Sequence, residues 1–205
     1  MLLCLILWVM VEKMAFHHLK FKLAEYLNPD PVIWEKLRHA VQITILYSGE
    51  YVMHEPGSIA FIAEGLLKEY DARQRRRPVI INFLNAGNFV IAARHHQHRY
   101  LIAVLPVTLV TLSFDEAIAL YIKHHELLPL YRAVAANYEG GTLFRYALLE
   151  ERFTEKRIRL FINRYRTILP FLKKKDMASY LHIEYDYFVR LYGRMLILPS
   201  CQPRP

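Results

Sequence analysis

The side chains able to hold a metal or move a proton are scattered along this chain. The densest group is Arg94-His95-His96-Gln97-His98. On a strand, His96 and His98 would point the same way. A metal site of the cupin kind also needs a carboxylate a few residues on, and the following RYLIAVLP supplies no acid. The string therefore reads as a solvated loop. His17-His18 and His124-His125 are neighbours on helical stretches, where adjacent residues face apart. Glu150-Glu151 and Asp115-Glu116 read as solvated or capping acids near helix ends, not as a catalytic dyad. Cys4 and Cys201 lie near opposite ends, so neither a zinc spacing nor a disulfide framework exists, which suits a reducing cytoplasm. No Ser/His/Asp order, nucleophile elbow or phosphate loop is present. An enzyme is not expected, and neither is a metal or cofactor.

A different chemistry is concentrated in KKDMASYLHIEYDYFVRLYG, from Lys174 to Gly193. With Ala178 as the fifth position of a twenty-residue frame, Met177, Leu181, Ile183, Phe188 and Leu191 fall at four, eight, ten, fifteen and eighteen. That is the spacing of a helix-turn-helix core: two short helices share one apolar seam, and the outward face of the second is left free for a major groove. Ala178 is small where the helices cross. The corner, which favours glycine because its φ is positive, is His182. Tyr180, Tyr185, Tyr187 and Tyr192 read as tyrosines packed on a small core with hydroxyls at the rim.

The elements that must position this motif follow from period and composition. The 205 residues, 54% hydrophobic and 22% charged, form a globular chain in one large domain or two small ones. The net charge of +8 favours an anionic partner, and from Glu150 onward twelve Lys/Arg face six Asp/Glu, so most of that excess lies with the motif. MLLCLILWVMV is too short an apolar run to span a bilayer and lacks a signal peptide's basic start, so it reads as a short buried or partner-covered helix, with no membrane partner. From Phe16 to Leu46 the pattern is mostly helical, with Asp30 capping a helix that begins at Pro31. From Gln42 to Leu112 about eight short runs (ITIL, YVM, IAFIAEG, LLKEY, PVIINFL, NFVIA, YLIAVL and VTLVTL) alternate with Gly49, Gly57, Gly65 and Gly87, as in an antiparallel jelly roll. Arg73 to Arg77 reads as a solvated hairpin tip. An apolar helical stripe follows from Ala117 to Tyr138, which Pro129 should kink or divide, and a second copy is its natural cover. Gly140-Gly141 reads as a break before the final segment.

Barrel, long helix and helix-turn-helix in that order, with LYSGEYVMHEPGSIAFIAEGLLKEYD, FLNAGNFV and the run from Arg152 to Arg194, resemble the Crp/Fnr family of bacterial transcription regulators. The resemblance implies an α+β fold: an N-terminal antiparallel jelly-roll barrel like the cyclic-nucleotide-binding domain (15–120), a connecting or dimerisation helix (121–147), and a C-terminal helix-turn-helix domain (148–198) that lacks a full wing. It implies a cytoplasmic homodimer, joined through the long helix, that binds operator DNA and senses a small-molecule effector. The DNA-contacting residues would be Lys173, Lys174 and Lys175 before the motif, then Tyr185, Asp186, Tyr187, Arg190 and Arg194. The effector site would be built from Asn88, Phe89, Ile91, Ala92, His98, Arg99 and Tyr100, with Tyr131 from the helix. Ile91 and Ala92 stand where cyclic-nucleotide binders resemble one another in a Gly-Glu pair, and Tyr100 stands where a small hydroxyl residue follows the phosphate-binding Arg. Cyclic AMP is therefore not the expected effector. The rival reading is a cupin-like small-molecule binder or enzyme with a helical interaction tail.

Overall fold

The computed structural model describes residues 2–26, 30–52, 55–73, 77–92 and 98–197. Two helices, α1 (Leu2–Ala24) and α2 (Pro31–Ala40), precede seven strands: β1 (Val41–Leu46), β2 (Ile59–Glu64), β3 (Leu66–Asp71), β4 (Val79–Asn85), β5 (Phe89–Ile91), β6 (Arg99–Ala103) and β7 (Val107–Leu112). Then come α3 (Phe114–Lys123), α4 (Leu128–Glu150), α5 (Thr154–Arg164), α6 (Lys174–Leu181) and α7 (Tyr185–Ile197). All strand pairs are antiparallel. One sheet has the order β1-β7-β2-β5 and the other β4-β3-β6. The jelly-roll-like barrel, long helix and helical tail expected from the sequence are all present.

Three apolar cores hold these layers together. Ala60, Ile62, Leu67, Leu84, Val90, Leu101 and Leu109 fill the space between the two sheets. Phe61, Ala63, Phe89 and Val110, on the outer face of the four-stranded sheet, pack on Ala15, Leu19, Leu23 and Trp34 of α1 and α2. Leu66, Ile80 and Phe83, on the outer face of the other sheet, pack on α5, α6 and α7. Strands covered on both faces have no solvent side to leave polar, which explains why β2 and β4 are almost wholly apolar, with the buried Asn82 the exception inside β4.

Local chemistry sets the boundaries. The Val32 amide donates to the Asp30 carboxylate at 2.8 Å, and Pro31 opens α2, as its missing N–H allows. Ser113 caps α3 by accepting from the Glu116 amide at 3.2 Å. Pro129 divides the long stripe: α3 ends, a single 3-10 turn (His125–Leu127) follows, and α4 starts with the proline in its first turn. Gly65 turns β2 into β3 at φ +98°, and a Cβ there would collide with the Pro106 carbonyl and sit 2.8 Å from Val107 Cα.

Three expectations need correction. Gly140-Gly141 does not break the chain, because α4 runs through both to Glu150. Gly141 instead gives room for Asn82 of β4, whose amide group lies where a side chain would begin. Of the expected strand YVM, Tyr51 makes only a single antiparallel bridge to Ile102 and Met53 lies outside the described residues, which leaves seven strands among the described residues. The N-terminal apolar run is not a short helix but the first half of the 23-residue α1, with Trp8, Val9, Met10 and Met14 exposed. Among the described residues no helix is long and apolar enough to cross a membrane.

Candidate nucleic-acid interface and ligand cavities

The reading head is built from α6, a tight corner and α7. His182 occupies the corner in the left-handed region (φ 54°, ψ 46°), the only described non-glycine residue with positive φ. Its amide donates to Ser179 O at 3.2 Å, and the Ile183 amide returns to Ala178 O at 3.0 Å, the pairing of a left-handed helix stop. Met177, Ala178, Leu181, Phe188 and Leu191 are buried and Ile183 packs against them, so the seam read from spacing is the seam in the structure.

Two arginines fasten this corner, and sequence reasoning gave neither that role. Arg145 of α4 donates through Nε to Tyr180 O at 3.0 Å. Arg157 of α5 donates through Nη1 to Leu181 O at 3.2 Å and through Nη2 to Glu151 O at 2.8 Å. Both supply donors to carbonyls at the C-terminal end of α6, where the helix offers none of its own and its dipole favours cations. Glu184 starts α7 in the same spirit, accepting from the amides of Tyr187 (2.9 Å) and Asp186 (3.1 Å). Those amide bonds, first Tyr187 and then Asp186, hold its carboxyl below the usual range.

The outward face carries the residues named from sequence. Tyr185 and Tyr187 are 46% and 42% exposed, and Asp186, Arg190 and Arg194 are exposed at helical spacing along α7. Lys173, Lys174 and Lys175 are exposed at the start of α6. Tyr180 and Tyr192 are not available for base stacking. Tyr180 is buried, with its hydroxyl 3.0 Å from that of Tyr165, and Tyr192 stacks on Phe188 at 5.3 Å.

The tail is docked firmly on the barrel. Phe83 of β4 meets Phe161, Tyr165 and Tyr180 at centroid distances of 6.0, 5.5 and 5.2 Å. Lys68 Nζ donates to Asp176 Oδ2 at 3.0 Å, and the Ile80 amide donates to Ser179 Oγ at 3.3 Å.

The eight expected effector residues are not brought into one pocket. Arg99 and Tyr100 are consecutive on β6 and so face opposite ways. Tyr100 stacks on Tyr70 at 5.0 Å, with Tyr51 beside it at 5.7 Å, away from the barrel interior. Arg99 turns inward, 3.5 Å from the buried Glu69, which also accepts from the Tyr138 hydroxyl of α4 at 2.6 Å. Burial outweighs the help of Tyr138 and Arg99 and raises the Glu69 carboxyl above its ordinary range. The same burial, with Glu69 beside it, pushes the Tyr138 hydroxyl well up. His98 sits at the rim, receiving a bond from Arg73 Nε at 2.8 Å. Asn88 is spent on a turn, its Oδ1 accepting from the Asn85 amide at 2.9 Å, and Ala92 is buried, bonded through its backbone to Ser58 and Gly57. Only Phe89, Ile91 and Tyr131 share a cavity. It is apolar, about 530 Å³, and lies between the outer face of the four-stranded sheet and helices α1 to α4. The sequence missed Glu69 and Tyr138. The one available signal was an acid inside an otherwise strand-like LLKEY.

Among the described residues no three His, Cys, Asp or Glu side chains gather to hold a metal. His95 and His96 lie outside the described residues, as do positions 74–76 of the basic run.

Neither a protein-family model nor a curated protein matches the sequence. Solved structures match in shape. A variant of CooA from Carboxydothermus hydrogenoformans aligns with a TM-score of 0.63 and 12% identity over 90% of this chain and 88% of that one. A cyclic nucleotide-binding domain containing protein from Listeria monocytogenes gives 0.65 and 12%, over 81% and 89%. A Eubacterium rectale protein assigned to the Crp/Fnr regulators gives 0.64 and 11%, over 83% and 85%. At these identities the likeness is one of architecture, and the chain has the Crp/Fnr-like fold: a jelly-roll barrel, a long helix and a helix-turn-helix.

Proposed function

We propose that the chain is a DNA-binding transcription regulator of the Crp/Fnr type, acting as a homodimer whose barrel (15–120) senses a small effector, whose helix (121–147) joins two copies, and whose tail (148–198) reads operator DNA. The observation that carries this is the reading head: a left-handed corner at His182 and a buried seam that leave Arg190 and Arg194 exposed on one face of α7. Arg190 can fork onto a guanine edge in the major groove, Asp186 can accept from a cytosine amine, and Lys173 to Lys175 can pair with phosphates. Tyr131, Leu143 and Tyr146 leave apolar surface exposed along α4, which supports a two-fold partner there. Glu69 and Tyr138 occupy the barrel interior, which fits the expectation that cyclic AMP is not the effector.

Selection from a random-sequence DNA pool, followed by gel shift, tests the reading. The expected winner is a palindrome with half-sites about 34 Å apart. Arg190→Ala should weaken it by about 1–3 kcal/mol at one base position while leaving other sequences unchanged. Binding that is salt-sensitive and blind to sequence would refute regulation by this head.

A further inference from the structure

The 530 Å³ cavity outside the four-stranded sheet plays no part in the DNA-reading face and is distinct from the barrel interior that holds Glu69, Arg99 and Tyr138. We propose that it is a binding site for a small molecule with an apolar body and an anionic head, of the medium-chain carboxylate class. The inference concerns binding alone and stands whether or not the chain reads DNA.

Three observations converge on that chemistry. The first is the wall. Strands supply Phe61 and Val110, α1 supplies Leu19 and Leu23, and α3 and α4 supply Ala117 and Val134. Tyr121 and Tyr131 contribute the only polar side-chain atoms among the described lining residues. Such a wall rewards an aliphatic or aryl body and rejects a sugar or nucleotide, whose polar groups would lose water without a replacement bond. The second is size. The volume lies within the range of about 300–1,000 Å³ typical of small-molecule sites. The third is the rim. Lys36 of α2 reaches across to His124 at the end of α3, with Nζ 3.1 Å from Nε2. Leu37, next to Lys36, and Leu120 and Leu127, on either side of His124, line the cavity. The imidazole Nε2 can accept from the ammonium, and its Nδ1 lies 3.4 Å from Glu126 Oε1. Among the described residues, no carboxylate lies within ion-pair distance of Lys36. An anionic head at this edge would give the ammonium its counter-ion, while the chain behind it meets only carbon.

Calorimetric titration of the intact chain with decanoate and, separately, with decanol tests the proposal. Saturable one-to-one binding of decanoate is expected, with decanol at least about tenfold weaker, the difference one charge-assisted contact makes. Ala117→Trp, which places an indole inside the cavity, should remove binding. Leu128→Trp, at the first turn of α4, should do the same and serves if the first variant does not fold by circular dichroism. Lys36→Ala should weaken decanoate and leave decanol unchanged. Non-saturable uptake, equal affinity for acid and alcohol, or decanoate binding untouched by both tryptophan variants would each overturn the assignment.

Discussion

Replacing Tyr138 by Phe removes one oxygen from the middle of the molecule, and the consequence can be worked from its surroundings. The hydroxyl donates to Glu69 Oε1 at 2.6 Å, and Glu69 is 2% exposed. The second carboxylate oxygen, Oε2, has no hydrogen-bond partner, and Arg99 stands at 3.5 Å. Tyr138→Phe keeps the ring in the core between the sheets but takes away the carboxylate's best donor. A hydrogen bond to a charged acceptor is worth about 1.5–3 kcal/mol, and a buried group left short of partners loses most of that. At about 2–4 °C per kcal/mol for a chain of this length, Tm should fall by roughly 3–12 °C.

The pH dependence gives the sharper test. Burial raises the Glu69 carboxyl in the folded state, so its contribution to stability is full below the unfolded pKa and is lost as pH rises through the folded one. Tyr138 opposes that rise. Without it the folded pKa climbs further, so the deficit of Tyr138→Phe should be small in acid, where the carboxyl is neutral in either protein, and largest on the alkaline side. Thermal denaturation followed by circular dichroism at acidic, neutral and mildly alkaline pH reads this directly. The cycle with Glu69→Gln should return a coupling of about 0.5–3 kcal/mol at neutral pH. A deficit independent of pH, or one of the same size in the Glu69→Gln background, would mean that the hydroxyl and the carboxylate do not act together and would refute the reasoning.

Other perturbations address other joints. Phe83→Ala should destabilise by about 3–5 kcal/mol, and because that ring touches α5 and α6 the barrel and tail should still melt together, at a lower temperature, by calorimetry. Gly141→Val should cost more than the small propensity difference of a surface helix site, since its Cβ would meet the Asn82 amide, and Asn82→Ala should restore part of the loss. The Glu184 carboxyl is held low by the Tyr187 and Asp186 amides, so the cap is present above its unfolded pKa and lost as pH falls through the folded one. Glu184→Gln should remove that acid dependence and speed amide exchange at Asp186 and Tyr187.

What the sequence disclosed, and what it concealed, follows from the range of the interactions. The reading head is local: Met177, Ala178, Leu181, Phe188 and Leu191 meet within two short helices, so spacing alone placed them. His182 was legible as a departure from glycine and proved to be the left-handed corner. Gly141 was misread because a glycine pair signals a break unless something distant needs the space, and that something is Asn82 on a strand early in the chain. The effector residues were placed together by the family resemblance alone. Strand alternation then sent Arg99 inward and Tyr100 outward. The Glu69–Tyr138 bond joins β3 to α4, and no period in either segment announces it.

These distant contacts have a common element. Helix α4 gives Val134 to the core beneath α1, Tyr138 to the core between the sheets, and Leu148 to the core shared with the tail. It also gives Leu130 and Val134 to the wall of the apolar cavity and Arg145 to the corner of the reading head. From Val134 to Arg145 a helix advances by about 16 Å at 1.5 Å per residue. An occupant that pressed on Val134 would therefore have to turn or slide a rod pinned at two intermediate points. A slide would drag Gly141 across the Asn82 amide, and a turn would pull the Tyr138 hydroxyl from Glu69. Those two contacts hold α4 against such a push and so oppose its passage from the cavity to the helix-turn-helix, because a slide needs room that only the missing Cβ of Gly141 leaves and a turn breaks a 2.6 Å bond. Loosening either one should leave the fold intact and make the position of the reading head respond more, not less, to what fills the cavity.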